Sequence, residues 1–370
     1  MALDPLRHLV EEIAALEAQG LLRDPAVALP PPEALVLCSN DYLGYASLPG
    51  PALTAGGAGA SRLVSGNHPA HLAAEEAIAR WLGAEAALLF SSGYAANVGT
   101  LAALAGPGDV IFSDALNHAS LIDGCRLSRA SLVIVPHLDT VALEHALGEA
   151  RTYRRRWVVT EAVFSMDGDR PDLPRLRALC DAQDAALVVD EAHALGVLGP
   201  QGAGLCAQLG VRADVRIGTL GKSLGLHGAF VVGSTALRTW LWNRARSFVF
   251  STGISPALAV AATERVGRAS RDEAGRQRLL ASFERLRAGL LALGARIPPT
   301  AQAPVLPWIL DTPSAAVSLS RRLAAQGVMV QAIRPPTVPA GTSRLRITAT
   351  ATLSAADVER ALVAFREALG

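Results

Sequence analysis

Leu187-Val188-Val189-Asp190-Glu191-Ala192-His193 and, further along, Gly218-Thr219-Leu220-Gly221-Lys222-Ser223 decide how this chain is read. Two chemistries compete for them. A hydrophobic strand ending in Asp-Glu, paired with Gly-Lys-Ser, could belong to an ATPase, with carboxylates on Mg²⁺ and a loop cradling phosphate. That loop needs a glycine five positions before the Gly of Gly-Lys, where this chain has Arg216, and it should precede the Asp-Glu strand. Spacing and order suit a pyridoxal 5′-phosphate (PLP) site instead. There, Asp190 at the strand's end pairs with the protonated pyridine nitrogen, and Lys222 holds the cofactor as a Schiff base. His193 could reach the ring's phenolic oxygen and Thr219 the phosphate. Taken alone, Asp-x-x-His would read as a polar pair at a loop end.

Outward from this stretch, short apolar runs alternate with helical patterns: Ala87–Phe90, Val110–Phe112, Leu132–Val135, Trp157–Thr160, Leu187–Val189, Val215–Ile217 and Phe230–Val232. The rhythm predicts an α/β fold with a mostly parallel sheet covered by helices. Ser91-Ser92-Gly93-Tyr94 falls between a strand and a helical pattern, where unpaired N–H groups and the helix dipole attract phosphate. Such turns are common, so this one gains meaning only from its neighbours. Asn117-His118 offers an imidazole that could stack on a flat ring, or an ordinary histidine at a helix start.

Past residue 255 the pattern changes to helical segments at 257–266 and 279–293, then apparent strands near 305–310, 328–331 and 345–348, and a closing helix from Ala355. This predicts a smaller C-terminal α+β domain. Leu6, Leu9, Val10, Ile13 and Leu16 recur at helical spacing, so the chain should open on an amphipathic helix ending near Gly20. A Pro-rich linker, Leu29-Pro30-Pro31-Pro32, follows. The expected division is an N-terminal helix and arm over 1–45, a cofactor-binding large domain over 46–255 and a small domain over 256–370.

The 370 residues include 34 basic and 33 acidic side chains, a formal net charge of +1 that gives no long-range field of either sign. Nucleic acid and anionic membrane are therefore not expected partners. Cys38, Cys125, Cys180 and Cys206 form no C-x-x-C pair, which suits a reducing compartment and argues against zinc. The start, Met1-Ala2-Leu3-Asp4, lacks a secretion signal, and the apolar stretch 86–106 is interrupted by polar residues. A cytoplasmic protein is expected.

Together these motifs resemble the α-oxoamine synthases, fold-type-I PLP enzymes that condense an amino acid with an acyl thioester and release CO₂. The resemblance covers nearly the whole chain. It rests also on Ser39-Asn40-Asp41-Tyr42-Leu43-Gly44, Ala60-Ser61-Arg62-Leu63-Val64-Ser65-Gly66-Asn67, His71 with Glu75, and Val163-Phe164-Ser165-Met166-Asp167-Gly168-Asp169. It departs from the family in shortened stretches between Arg23 and Ser39 and between Tyr45 and Gly57, and in Glu191, where a second Asp is frequent.

The resemblance implies that Gly93, Tyr94 and Thr219 contact phosphate and that His118 stacks on the ring. Ser165 and His193 would bond the phenolic side, with Lys222 as anchor and base. It also implies a homodimer with shared active sites, in which Phe250-Ser251-Thr252-Gly253 reaches a neighbour's phosphate pocket. Within the family, Ala332–Thr342 is closest to the member that uses L-alanine and a pimeloyl thioester, on CoA or a carrier protein, for biotin. Asn40, His118 and Arg346 would then touch substrate, Arg346 as the fork for the amino-acid carboxylate. Arg23, Arg334 and Thr337 would read the substrate or product specific to that member. The alternatives are a sister enzyme such as glycine C-acetyltransferase, or a PLP-fold regulator without catalysis.

Overall fold

In a computed structural model, residues 6, 8–22, 31, 33–50 and 56–370 are described. The described residues form two compact units, one within 40–279 with 350–352, the other within 1–39, 280–349 and 353–370.

The larger unit is built on a seven-stranded sheet. Its strands are β1 (Ala86–Phe90), β2 (Val110–Asp114), β3 (Ser131–Val135), β4 (Arg156–Glu161), β5 (Ala185–Asp190), β6 (Val215–Thr219) and β7 (Ala229–Gly233). Their spatial order is β1-β7-β6-β5-β4-β2-β3. Only β7 runs against its neighbours, β1 and β6; the other pairs are parallel. All seven predicted runs are strands of this sheet. The central ones are apolar along their length rather than alternating, because helices cover both faces of such a sheet. Leu88, Ile111, Val159, Val188, Ile217 and Val231 form its core with Leu101 and Leu121 from the covering helices.

Since β1 to β6 point the same way, Phe90, Asp114, Glu161, Asp190 and Thr219 end at one edge of the sheet. In open α/β folds that edge is where ligands bind. The helix Gly93–Leu104 starts there, with Ser92 capping it through an Oγ that accepts the Ala95 N–H at 3.1 Å.

The smaller unit has a three-stranded antiparallel sheet of Gln331–Ile333, Ser343–Thr348 and Val305–Asp311, in that order. Leu35–Val36 pairs in parallel with Val328–Met329, and Trp308 packs on Phe365 with ring centroids 5.7 Å apart. The expected strand at 328–331 is thus two short strands that join different sheets. The opening helix spans His8–Ala18, and its apolar stripe is exposed, with Val10 at 71% and Ile13 at 50%.

Candidate active site

Asp190 ends β5 and is buried. One carboxylate oxygen accepts the Ala192 N–H at 2.9 Å and the other the Asn97 side-chain amide at 2.8 Å, so the group is locked in one orientation. The same Asn97 nitrogen donates to Ser120 Oγ at 2.8 Å, and Ser120 Oγ lies 2.7 Å from His118 Nδ1. A hydrogen-bonded chain therefore runs from Asp190 to His118, at the start of the helix Ala119–Leu127. His118 is exposed. Protein packed behind it holds the imidazole below its ordinary pKa, against the pull of Asp190.

Glu161 sits opposite Asp190 in the β4–β5 register and is also buried. Its Oε1 accepts the backbone N–H of His118 at 2.6 Å. Burial and the charge of Asp190 raise the Glu161 pKa well above the ordinary carboxylate range.

Lys222 lies in the turn after β6, which closes when Gly225 N–H donates to Lys222 O at 2.9 Å and Leu226 N–H to Leu220 O at 2.8 Å. Gly225 has φ +63°, and a Cβ there would meet the Tyr45 carbonyl carbon at 2.3 Å, so the tight approach requires glycine. Lys222 Nζ is 2.7 Å from His193 Nε2, and His193 Nδ1 is 2.7 Å from the hydroxyl of the buried Tyr42. Thr219 Oγ1 accepts the Gly221 N–H at 3.1 Å and faces Gly93, whose added Cβ would come within 4.0 Å of it. A side chain at Gly93 would fill the gap between Thr219 and the start of the 93–104 helix.

Ser165 lies in a turn after β4 closed by Gly168 N–H to Phe164 O at 2.8 Å and Phe164 N–H to Asp169 O at 3.0 Å. Behind it, His137 bridges Asp114 at 2.8 Å and Asp169 at 3.0 Å. Burial works against its protonation, but the two carboxylates override that and push the imidazole pKa up to about 10. An imidazolium thus ties together the loops after β2, β3 and β4.

The Tyr94 ring is exposed, with its hydroxyl donating to Asp123 at 2.6 Å. Ser251 N–H donates to Phe248 O at 3.4 Å, and Thr252 is exposed. Asn40 is half-buried, with its Oδ1 3.4 Å from the Tyr42 hydroxyl. Asp190, His193, Thr219, Lys222, Gly93, Ser165 and His118 all belong to the larger unit, at strand ends, turns and helix starts along the same sheet edge. In the smaller unit, Arg346 is buried on the strand Ser343–Thr348 and opposite Gln331. Arg334 donates to the Gly20 carbonyl and lines a cleft of about 1120 Å³ with Arg321 and Arg322. The exposed Thr337 has its N–H on Arg334 O at 3.1 Å. Arg23 lies outside the described residues. Asn97, Ser120, Glu161 and Tyr42 are the site residues to which sequence reasoning assigned no role.

These groups fit PLP: a locked carboxylate for a ring nitrogen, an amine for the aldehyde, an exposed imidazole, and a glycine-walled helix start for phosphate.

The aminotransferase class I and II family matches residues 32–365. An 8-amino-7-oxononanoate synthase of Anaeromyxobacter dehalogenans is 46% identical, over 100% of this chain and 97% of its own. One from Geobacter sulfurreducens is 45% identical over 97% of each. Among solved structures, a serine palmitoyltransferase from S. paucimobilis with bound PLP is 28% identical with a TM-score of 0.91, covering 99% of this chain and 98% of that one. By this full-length likeness the chain belongs to the 8-amino-7-oxononanoate synthases, PLP-dependent enzymes of fold type I within the class I and II aminotransferase family.

Proposed function

We propose that the protein joins L-alanine to a pimeloyl thioester, releasing CO₂ and the free thiol and giving 8-amino-7-oxononanoate for biotin synthesis. Full-length similarity to synthases of that name carries the reading, and the Asp190–Lys222 site supports it. Bound PLP supplies an electron sink for the pair left at the amino acid's Cα when a bond there breaks. Asp190 would hold the ring nitrogen's proton in place, His118 would flank the ring, and Ser165 and His193 would bond the phenolic oxygen. Gly93, Tyr94 and Thr219 would hold the phosphate. Lys222 anchors the cofactor, and its freed amine takes the proton from alanine's Cα and later returns one to the product. Arg346 grips alanine's carboxylate with Asn40 nearby in role, while Arg334, Thr337 and Arg23 read the distal carboxylate of the pimeloyl chain.

Two copies form the working enzyme in this reading, with Ser251 and Thr252 of each reaching the other's phosphate pocket. The exposed apolar stripe on the helix His8–Ala18 supports association.

The test is product formation from alanine with pimeloyl-CoA or pimeloyl-carrier protein, compared with glycine and acetyl-CoA. Mass spectrometry should find 8-amino-7-oxononanoate, and faster turnover of glycine with acetyl-CoA would overturn the substrate reading. Arg334→Ala should lower kcat/KM for pimeloyl-CoA about ten- to a hundred-fold, the loss of one charge-assisted bond. Alanine binding should survive that change and weaken instead in Arg346→Ala.

A further inference from the structure

The Ser39–Gly44 stretch builds a turn whose purpose is visible in the larger unit's part of it, residues 40–44. The Asp41 carboxylate accepts the N–H groups of Tyr45 at 2.8 Å and Ala46 at 2.9 Å. Gly44, at φ +74°, donates its N–H to Asp41 O at 3.1 Å. Ala351 N–H pins Tyr42 O at 2.8 Å. The turn drives Tyr42 fully inside, edge-on to the His193 ring with centroids 6.0 Å apart.

Three contacts then line up: Lys222 Nζ to His193 Nε2 at 2.7 Å, His193 Nδ1 to Tyr42 OH at 2.7 Å, and a longer one from Tyr42 OH to Asn40 Oδ1 at 3.4 Å. An ammonium has no acceptor lone pair, so while Lys222 is protonated His193 Nε2 must accept from it. A neutral imidazole then carries its hydrogen on Nδ1 and donates to the Tyr42 oxygen. The tyrosine's own hydrogen is left to point at Asn40. All three bonds run in one direction, from lysine to asparagine.

We propose that Tyr42 is a positioning residue that fixes the His193 proton on Nδ1 and so presents Nε2 as the acceptor for a proton leaving Lys222. The inference rests on Lys222 being the working amine. The step balances simply: the Lys222 ammonium gives one proton to Nε2, leaving a neutral amine and an imidazolium whose Nδ1–H stays bonded to Tyr42. Glu161 and His118 each feel the charges of both Lys222 and Asp190.

The test uses full-length protein stripped of cofactor. Trace acetylation of Lys222 with acetic anhydride, followed by mass spectrometry at stepped pH, reads how readily the amine loses its proton. Tyr42→Phe removes one hydroxyl and should lower Lys222 labelling at pH 7.5 about three- to tenfold, the effect of one hydrogen bond. In a His193→Phe background the same change should do nothing further, whereas a merely structural role for Tyr42 would persist there. Unchanged labelling in Tyr42→Phe, or an undiminished effect without His193, overturns the proposal. Should the variant unfold, the wild-type protein still decides. Imidazole ¹⁵N spectra, with His193 assigned by its absence from the His193→Phe spectrum, must show the Nδ1–H form, and an Nε2–H form overturns it. No acyl substrate enters these measurements, so their outcome is separate from that of the alanine and pimeloyl-CoA assay.

Discussion

Two buried carboxylates stand side by side on β4 and β5, and their surroundings set them apart. Asp190 accepts from two donors that hold it in one orientation, whereas burial and the charge of Asp190 raise the Glu161 pKa. Asp190→Asn should therefore slow α-deuterium exchange in alanine by about a hundredfold, since an amide cannot hold a ring nitrogen protonated by charge. Glu161→Gln, which mimics a protonated carboxyl and still accepts the His118 N–H, should leave the exchange within about threefold of wild type. Equal exchange rates in Asp190→Asn and wild type would remove the electron-sink role from Asp190. Sequence alone pointed to Asp190 and Lys222 because the first ends one apolar strand and the second follows another, in the right order. Asn97 gave no such signal. It is 93 residues from Asp190 along the chain, in the middle of a helix, and only folding turns its amide onto the carboxylate. Ser120 was hidden for the same reason, Glu161 ends an apolar strand as Asp190 does but has no lysine motif to pair with it, and Tyr42 was legible only as part of a family motif.

At the scale of elements, the His137 bridge joins the ends of β2 and β3 to the Ser165 turn after β4. Its pKa, about 10 in the folded protein against an ordinary 6.5, is raised. The stability it contributes is therefore complete below about pH 6.5 and is lost as pH climbs through about 10. Thermal unfolding of the wild type should decline across that window, and His137→Gln should flatten the decline while costing about 2–3 kcal/mol below it. A wild-type profile parallel to that of the variant would show that the bridge carries no charge. Strand positions were readable because buried parallel strands leave uninterrupted apolar runs between polar turns. Short pieces were not: Leu35–Val36 is two residues long and gains its place by pairing with Val328–Met329. The Ser131–Val135 strand was expected from the apolar run Leu132–Val135 even though it lies at the sheet edge with Ile134 exposed.

For the whole molecule, the amphipathic pattern of the opening helix was read correctly as a helix, yet Leu9, Val10, Ile13 and Leu16 are all exposed. Such a stripe asks for a partner that the pattern cannot name. With the proposed homodimer as that partner, sedimentation should give a dimer at assay concentrations, and Val10→Glu with Ile13→Glu should shift it towards monomer without loss of fold. A fully active monomer would refute this. Among the described residues no helix is long and apolar enough to cross a membrane. The sheet order carries one more consequence. β1 pairs only with β7, Phe90 beside Ala229 and Ala86 beside Gly233. During synthesis on the ribosome, β1 therefore emerges long before the one strand that can receive it. A nascent chain that has just exposed Lys222 already contains every residue proposed to hold the ring, but its phosphate end still hangs on an unpaired apolar strand. Only the few residues that come after the lysine supply β7, and with it the partner that fixes the strand leading into the 93–104 helix.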